Sequence, residues 1–356
     1  MQAINKSTIS ILSNSKSISN SQKKIKIFFS LFILSIIALI IAKPNLCIGS
    51  IYSGLCVWAK CVLPSLLPFM FFTKLLTNLN FISSITAKTY RLNKFLFKAP
   101  KISSYIFLMS IISGYPVGAK IISEYHKNGL ISTKQANKLS TFCSTSGPLF
   151  VIGTVGTVLF GSAKLGYIIF ASHILGSILN GILYRNFFVD ENDYFENWNN
   201  HNTKKENILA ESMKDSILSV LLVGGWIAIS FLVIDLFLDL KIFEPIVFVL
   251  SKIFVGTKPE TIKAFLCGVL EVSKGTLELS KINILKTPLC SLASFLIGFG
   301  GISIFLQAHT FLKNAKVNTK FYLLSKLTHG IFSAVLTFLL CLFFVWKNFM
   351  NNKNIC

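Results

Sequence analysis

The sequence predicts an all-α, polytopic membrane protein of about eight to ten membrane segments, built as two homologous halves with interrupted, re-entrant helices. Three observations carry this expectation. The 356 residues are 53% hydrophobic and only 14% charged, where a soluble domain carries about 25% charged residues. Several apolar runs are long enough to span hydrocarbon, and the mean hydropathy is +0.65. The chain also repeats itself. At an offset of 154 residues, Gly114, Lys120, Glu124, Lys127, Thr133, Ser140 and Gly147 return as Gly268, Lys274, Glu278, Lys281, Thr287, Ser294 and Gly301. Matching interrupted hydrophobic segments in two halves point to a transporter's midplane binding site.

Lys and Arg number 35 against 14 acids, a net charge of +21. In a soluble chain that balance would suggest nucleic acid. Here the lysines fall mainly in short segments between apolar runs, as cytoplasmic loops and lipid headgroups require, so membrane lipid is the expected partner and nucleic acid is not. The eight cysteines form no C-x-x-C pair and lie mostly inside apolar runs, as small hydrophobes do. The five histidines lack ligand spacing, so neither a metal nor a cofactor is expected.

Residues 1–26 are polar and basic without helical periodicity, as in a disordered cytoplasmic tail. The first membrane half covers 27–189. Its first span is Ile27–Ala42, read as uncleaved with the N-terminus inside. Leu46–Leu79 contains Pro64 and Pro68, which either kink one helix or break it. Asn80–Lys101 carries Lys88, Arg91, Lys94, Lys98 and Lys101 without an acid and is expected on anionic lipid. Ser113–Lys120, S-G-Y-P-V-G-A-K, predicts a hairpin that enters the membrane and turns back at Gly114, Tyr115, Pro116 and Gly118. Glu124–Lys138 reads as amphipathic and interfacial. Leu139–Phe160 holds S-T-S-G-P (Ser144, Thr145, Ser146, Gly147, Pro148), and a span runs from about Leu165 to Val189.

Residues 190–206 are the acidic hydrophilic linker and are expected outside. The second half covers 207–347, with a short tail at 348–356. Its repeat segment is Thr261–Ser280, containing Gly268, Glu271 and Lys274. Thr287–Gln307 carries G-F-G-G, with Gly300 and Gly301 where the first half has S-T-S-G-P, and Gln307 follows. Phe321–Trp346 is the last span.

Lys120, Glu124 and Lys127 share one helix face, as do Lys274, Glu278 and Lys281. They read either as self-paired snorkelling residues or, taking Lys120 and Lys274 alone, as two ammonium groups of a pseudo-two-fold site for a small dicarboxylate. Glu271 is an intramembrane acid, serving a functional site or compensating Lys274 one turn away. His173 and His329, in corresponding late spans, are expected to bridge helices. No H-E-x-x-H, G-x-S-x-G, Walker A or G-x-G-x-x-G motif occurs, so no enzymatic activity is expected.

Four stretches carry a family resemblance: W-A-K-C-V-L-P-S-L-L-P-F (Trp58–Phe69), S-G-Y-P-V-G-A-K, S-T-S-G-P-L-F (Ser144–Phe150) and F-G-G-I-S-I-F-L-Q (Phe299–Gln307). Together they resemble the sporulation integral membrane proteins of the YlbJ type, grouped with the nucleoside-recognition Gate domain proteins of spore-forming Firmicutes. The resemblance runs from about Leu46 to Trp346. It implies a multi-pass protein of the outer forespore membrane, concerned with movement of dipicolinic acid toward the forespore. A transporter for a small organic anion is the leading expectation. A nucleoside-type carrier and a non-transporting structural protein of a spore membrane assembly stay open, as does association with a second copy or a sporulation membrane partner. The sequence departs from equal halves at Pro148, whose counterpart is Ile302.

Overall fold

The computed structural model describes residues 24, 26–78, 82–190 and 207–353. The expected tail and the acidic linker at 191–206 lie outside the described residues. By internal packing the chain divides into Met1–Ser50 and Ile51–Cys356. The first unit contains α1 (Lys26–Ala42) and the opening of α2 (Pro44–Val57).

The described residues form helices joined by turns, with no strand among them, and five of these helices are long and apolar enough to cross a membrane. The protein is thus the all-α, multi-pass membrane protein its composition predicts. Pro64 and Pro68 do not break the chain. A π-helical turn, π1 (Trp58–Val62), runs directly into α3 (Leu63–Asn78), and the Leu63 N–H reaches back to the Trp58 carbonyl. Pro64 lacks the N–H that would reach Lys60, and the winding widens there instead of stopping. Helix α4 (Ile82–Phe97) follows.

Two pairs of short helices form hairpins. In the first, α5 (Ser103–Ser113) turns at Gly114-Tyr115-Pro116 into α6 (Val117–Lys127). Tyr105 near the start of α5 lies beside Tyr125 near the end of α6, with ring centroids 6.5 Å apart. In the second, α11 (Pro259–Leu270) turns at Glu271 into α12 (Val272–Ser280), and Gly275 backs onto Gly268 and the Ala264 carbonyl. Arms of 9 to 12 residues reach roughly 14–18 Å, about half the hydrocarbon thickness. Each hairpin is followed by an interrupted helix. The first is α7 (Thr133–Ser140), the unwound stretch Thr141–Gly147 and π2 (Leu149–Leu159); the second is α13 (Lys286–Phe299), a left-handed Gly300 and α14 (Gly301–Leu312). The long helices α8 (Ala163–Leu183) and α15 (Thr319–Lys353) close the two series. Between them lie α9 (Ile208–Asp239), one unbroken helix, and the short α10 (Glu244–Ile253).

Shifted by 154 residues, α5 to α8 fall on α11 to α15 in order, their starts within about three residues. Of the glycines identical at this offset, four pair within their series. A Cβ built on Gly114 would lie 2.6 Å from the Gly147 nitrogen, and one on Gly301 would lie 3.0 Å from the Gly268 carbonyl oxygen. Gly114 and Gly301 also hold positive φ, 78° and 68°, which disfavours any side chain there. One expectation is corrected. Helix α7 is not an interfacial helix: Gln135 to Ser140 are all buried in protein, and the Lys138 ammonium donates to the Arg185 carbonyl just past the end of α8 (2.6 Å). Its amphipathic pattern faces carbonyl groups rather than lipid headgroups.

Replacing Gly114 with Leu is expected to cost at least about 2 kcal/mol, from positive φ and backbone collision together. The check is the melting temperature of the detergent-solubilised protein, with Gly129→Leu, at an open loop glycine of the same φ sign, falling by less.

Candidate functional site

Unwinding a chain inside a membrane protein exposes backbone groups that lipid cannot satisfy. Thr141–Gly147 solves this with side chains from its neighbours. Asn180 Nδ2 donates to the Thr141 carbonyl (2.7 Å), and Ser177 Oγ donates to that of Phe142 (2.7 Å). The Ser146 N–H donates to His173 Nε2 (2.8 Å). These three partners stand at i, i+4 and i+7 on α8 and so form one polar face. From α15, Lys326 Nζ donates to the Ser144 carbonyl (2.9 Å), and from α5, Ser110 Oγ accepts the Thr145 N–H (3.1 Å). His329 Nε2 donates to the His173 carbonyl (3.0 Å), and the two rings stack at 4.6 Å. The histidines therefore bridge α8 and α15.

The breaks that these contacts hold open meet at one cavity. Its lining includes Ser113, Gly114 and Tyr115 from the first hairpin tip and Glu271, Val272 and Ser273 from the second. Ser146, Gly147 and Gln307 come from the interrupted helices, with walls of Leu66 and Phe69 on α3 and Val223 and Ile227 on α9. The volume is about 60 Å³, room for a few waters. A ring-sized solute can occupy it only if the tips part. Helices α12 and π2 begin at lining residues, Val272 and Leu149, and α6 begins two residues past Tyr115, so helix N-termini bring partial positive charge there.

Of the expected site residues, Gly114, Tyr115, Ser146, Gly147, Glu271 and Gln307 line this cavity. Gly268, Gly300 and Gly301 shape the second break, and Pro148 starts π2. Pro116 and Gly118 belong to the first turn, where Gly118 packs on the Cys143 carbonyl. The Ser144 hydroxyl shares a hydrogen bond with Tyr322 (2.9 Å), and that of Thr145 with Ser110 (2.7 Å). Both hydroxyls face partners within the protein.

The two lysines are not brought together. Lys120 Nζ donates to Ser219 Oγ (3.0 Å), in a recess with Lys74, Glu124 and Asp215. Lys274 pairs with Asp235 (2.9 Å). Ser219 and Asp235 are sixteen residues apart on the unbroken α9, about 24 Å along its axis. One small dicarboxylate cannot bridge that distance, so the paired-lysine clamp is withdrawn for this conformation. Glu271 does not compensate Lys274 either; its Oε1 accepts the Ser273 N–H (3.0 Å) and caps α12. Lys281 pairs with Glu278 three residues away (2.9 Å), the self-paired alternative.

Lys326 is a residue that the sequence reasoning misses. Only 2% exposed, it donates to Tyr115 Oη (2.6 Å) as well as to Ser144, and Tyr115 in turn donates to the Ile297 carbonyl (3.1 Å). A lysine inside the hydrophobic span Phe321–Trp346 was the available signal.

These features define a polytopic helical membrane protein whose broken helices and hairpin tips enclose a buried cavity. Over 338 residues, 89% of this chain and 81% of the relative, the sequence is 25% identical to the sporulation integral membrane protein YlbJ of Bacillus subtilis (strain 168). That likeness bears out the YlbJ-type resemblance carried by the four motifs. No family model matches the chain, and no solved structure matches it.

Asn180 holds three groups, accepting from Thr328 Oγ1 (2.6 Å) while donating to Thr141 and Ser325. Asn180→Leu should therefore destabilise the protein by roughly 2–4 kcal/mol, since buried partners are left unmatched. Ser177→Ala, which frees one carbonyl, should cost about 1 kcal/mol. Thermal unfolding of the two variants measures the ratio.

Proposed function

We propose that this chain is a sporulation-related carrier that moves a small organic anion, dipicolinate in the first instance, across the outer forespore membrane toward the forespore. The observation that carries the proposal is the convergence of two re-entrant tips, equivalent at the 154-residue offset, on one buried cavity. Hairpins that stop halfway through a bilayer and face each other across a pseudo-two-fold axis suit alternating access, each tip closing the path from one side. Reading the two series as copies of one ancestral unit supplies that symmetry. The relative is a sporulation integral membrane protein by name, which supports the cellular setting.

An anion fits the electrostatics of the rim. The helix N-termini at the rim, those of α12 and π2 among its lining residues, replace the lysine pair as the source of positive potential. A nucleoside-type carrier has its own support: the polar lining near the tips is largely uncharged, with Ser113, Ser146, Ser273 and Gln307 able to meet hydroxyl and base groups. Charge on the solute separates the two.

Vesicles containing the purified full-length chain should take up labelled dipicolinate, and Val223→Trp, which fills the cavity from α9, should slow uptake about tenfold or more. Lys326→Gln, which removes the donor that ties Tyr115 to the Ser144 carbonyl behind the cavity, should weaken dipicolinate by roughly tenfold. Nucleoside uptake, with dipicolinate excluded, would select the second carrier reading. Uptake of neither would leave a structural role in the spore membrane.

A further inference from the structure

Glu271 Oε2 is buried and has no hydrogen-bond partner among the described residues, although the residue is only 1% exposed and lines the cavity. An ionised oxygen in such a place needs a counter-charge. Lys274 does not supply it, being paired with Asp235. Other oxygen donors are close by. Ser303 stands near enough to interact with the carboxyl, and its Oγ accepts from Gln307 Nε2 (3.2 Å), leaving the hydroxyl proton free to turn. The last four carbonyls of a helix have no partner within it. In α11 that of Cys267 takes the Glu271 N–H (2.8 Å). The remaining three, of Gly268, Val269 and Leu270, crowd the Cα of Gly301, where an added Cβ would lie 3.0 to 3.4 Å from their oxygens. A helix C-terminus carries partial negative charge and favours a cation.

We propose that Glu271, with the Ser303 hydroxyl and the carbonyl end of α11, binds a small monovalent cation, a sodium ion or a proton, that couples to transport. The coupling role rests on the carrier reading above, whereas the binding itself does not. The second hairpin tip then carries its negative charge only while the cation is absent. Gly301 keeps the site open, since any side chain there would press on the carbonyl oxygens. Among titratable groups, Tyr115 faces Glu271 across the cavity, Lys326 lies behind Tyr115, and the Lys274–Asp235 pair lies along α12 and α9.

The test is thermal unfolding of the full-length protein in detergent, in sodium chloride against choline chloride at equal ionic strength, and across a pH series. Saturating sodium should raise the wild-type Tm by roughly 4 °C, with the rise absent in Glu271→Gln and its sodium midpoint shifted about tenfold upward in Ser303→Ala. If sodium is inert but wild-type Tm rises as pH falls from about 8 to 5, and Glu271→Gln stays flat, the cation is a proton. A wild type that responds to neither, or a Glu271→Gln that responds like wild type, overturns the site. Should Glu271→Gln fail to fold, an unchanged midpoint in Ser303→Ala overturns it as well. Loss of the site would leave a passive carrier intact, and failure of dipicolinate uptake would leave cation binding measurable.

Discussion

An unwound backbone buried inside a membrane protein is the constraint from which the rest of this structure follows. Each unpaired N–H or C=O there costs several kcal/mol, so Thr141–Gly147 can exist only because α5, α8 and α15 turn polar side chains onto it. Asn180, Ser177 and His173 fall on one face of α8 for this reason. Lys326 is buried in α15 for the same reason, its ammonium shared between the Ser144 carbonyl and the Tyr115 hydroxyl. That lysine joins the unwound stretch to the first hairpin tip.

Close backbone approach is the second requirement, and glycine meets it. Gly114 lies against Gly147 and Gly301 against Gly268, so in each series the hairpin tip is wedged into the break of the interrupted helix. The arms of the two hairpins, 9 to 12 residues long, have about half the length needed to cross the hydrocarbon core. Within each series the tip meets the break through backbone rather than side chains, and the two tips face one small cavity. The charges near this cavity are distributed unevenly. Glu271 stands at the second tip, while the ammonium of Lys326 is held behind the first.

The glycine spacing was legible in the sequence because glycine at a close approach has no substitute, and identity at a fixed offset preserves it. The same identity placed Lys120 and Lys274 wrongly. A residue six positions past a turn runs back along the second arm, about 9 Å from the tip, and spacing alone does not say that the arm reverses. Pro64 and Pro68 were ambiguous because a proline removes one hydrogen bond, and a π turn absorbs that loss without ending the helix. The amphipathic pattern of α7 showed a polar face without showing what it faced. Lys326 and the α8 stripe were readable as polar positions in apolar spans, but their partners are carbonyl groups of a distant segment, which sequence does not display.

The central claim is that the two tips enclose a solute path reachable through the membrane. A single cysteine at Ser273, in a chain whose native cysteines are replaced, tests it most directly when exposed to a membrane-impermeant thiol reagent in sealed vesicles. The account predicts labelling of the folded protein that is slowed by saturating dipicolinate. A cysteine at this position that reacts only after denaturation, from whichever side the reagent is applied, would contradict it.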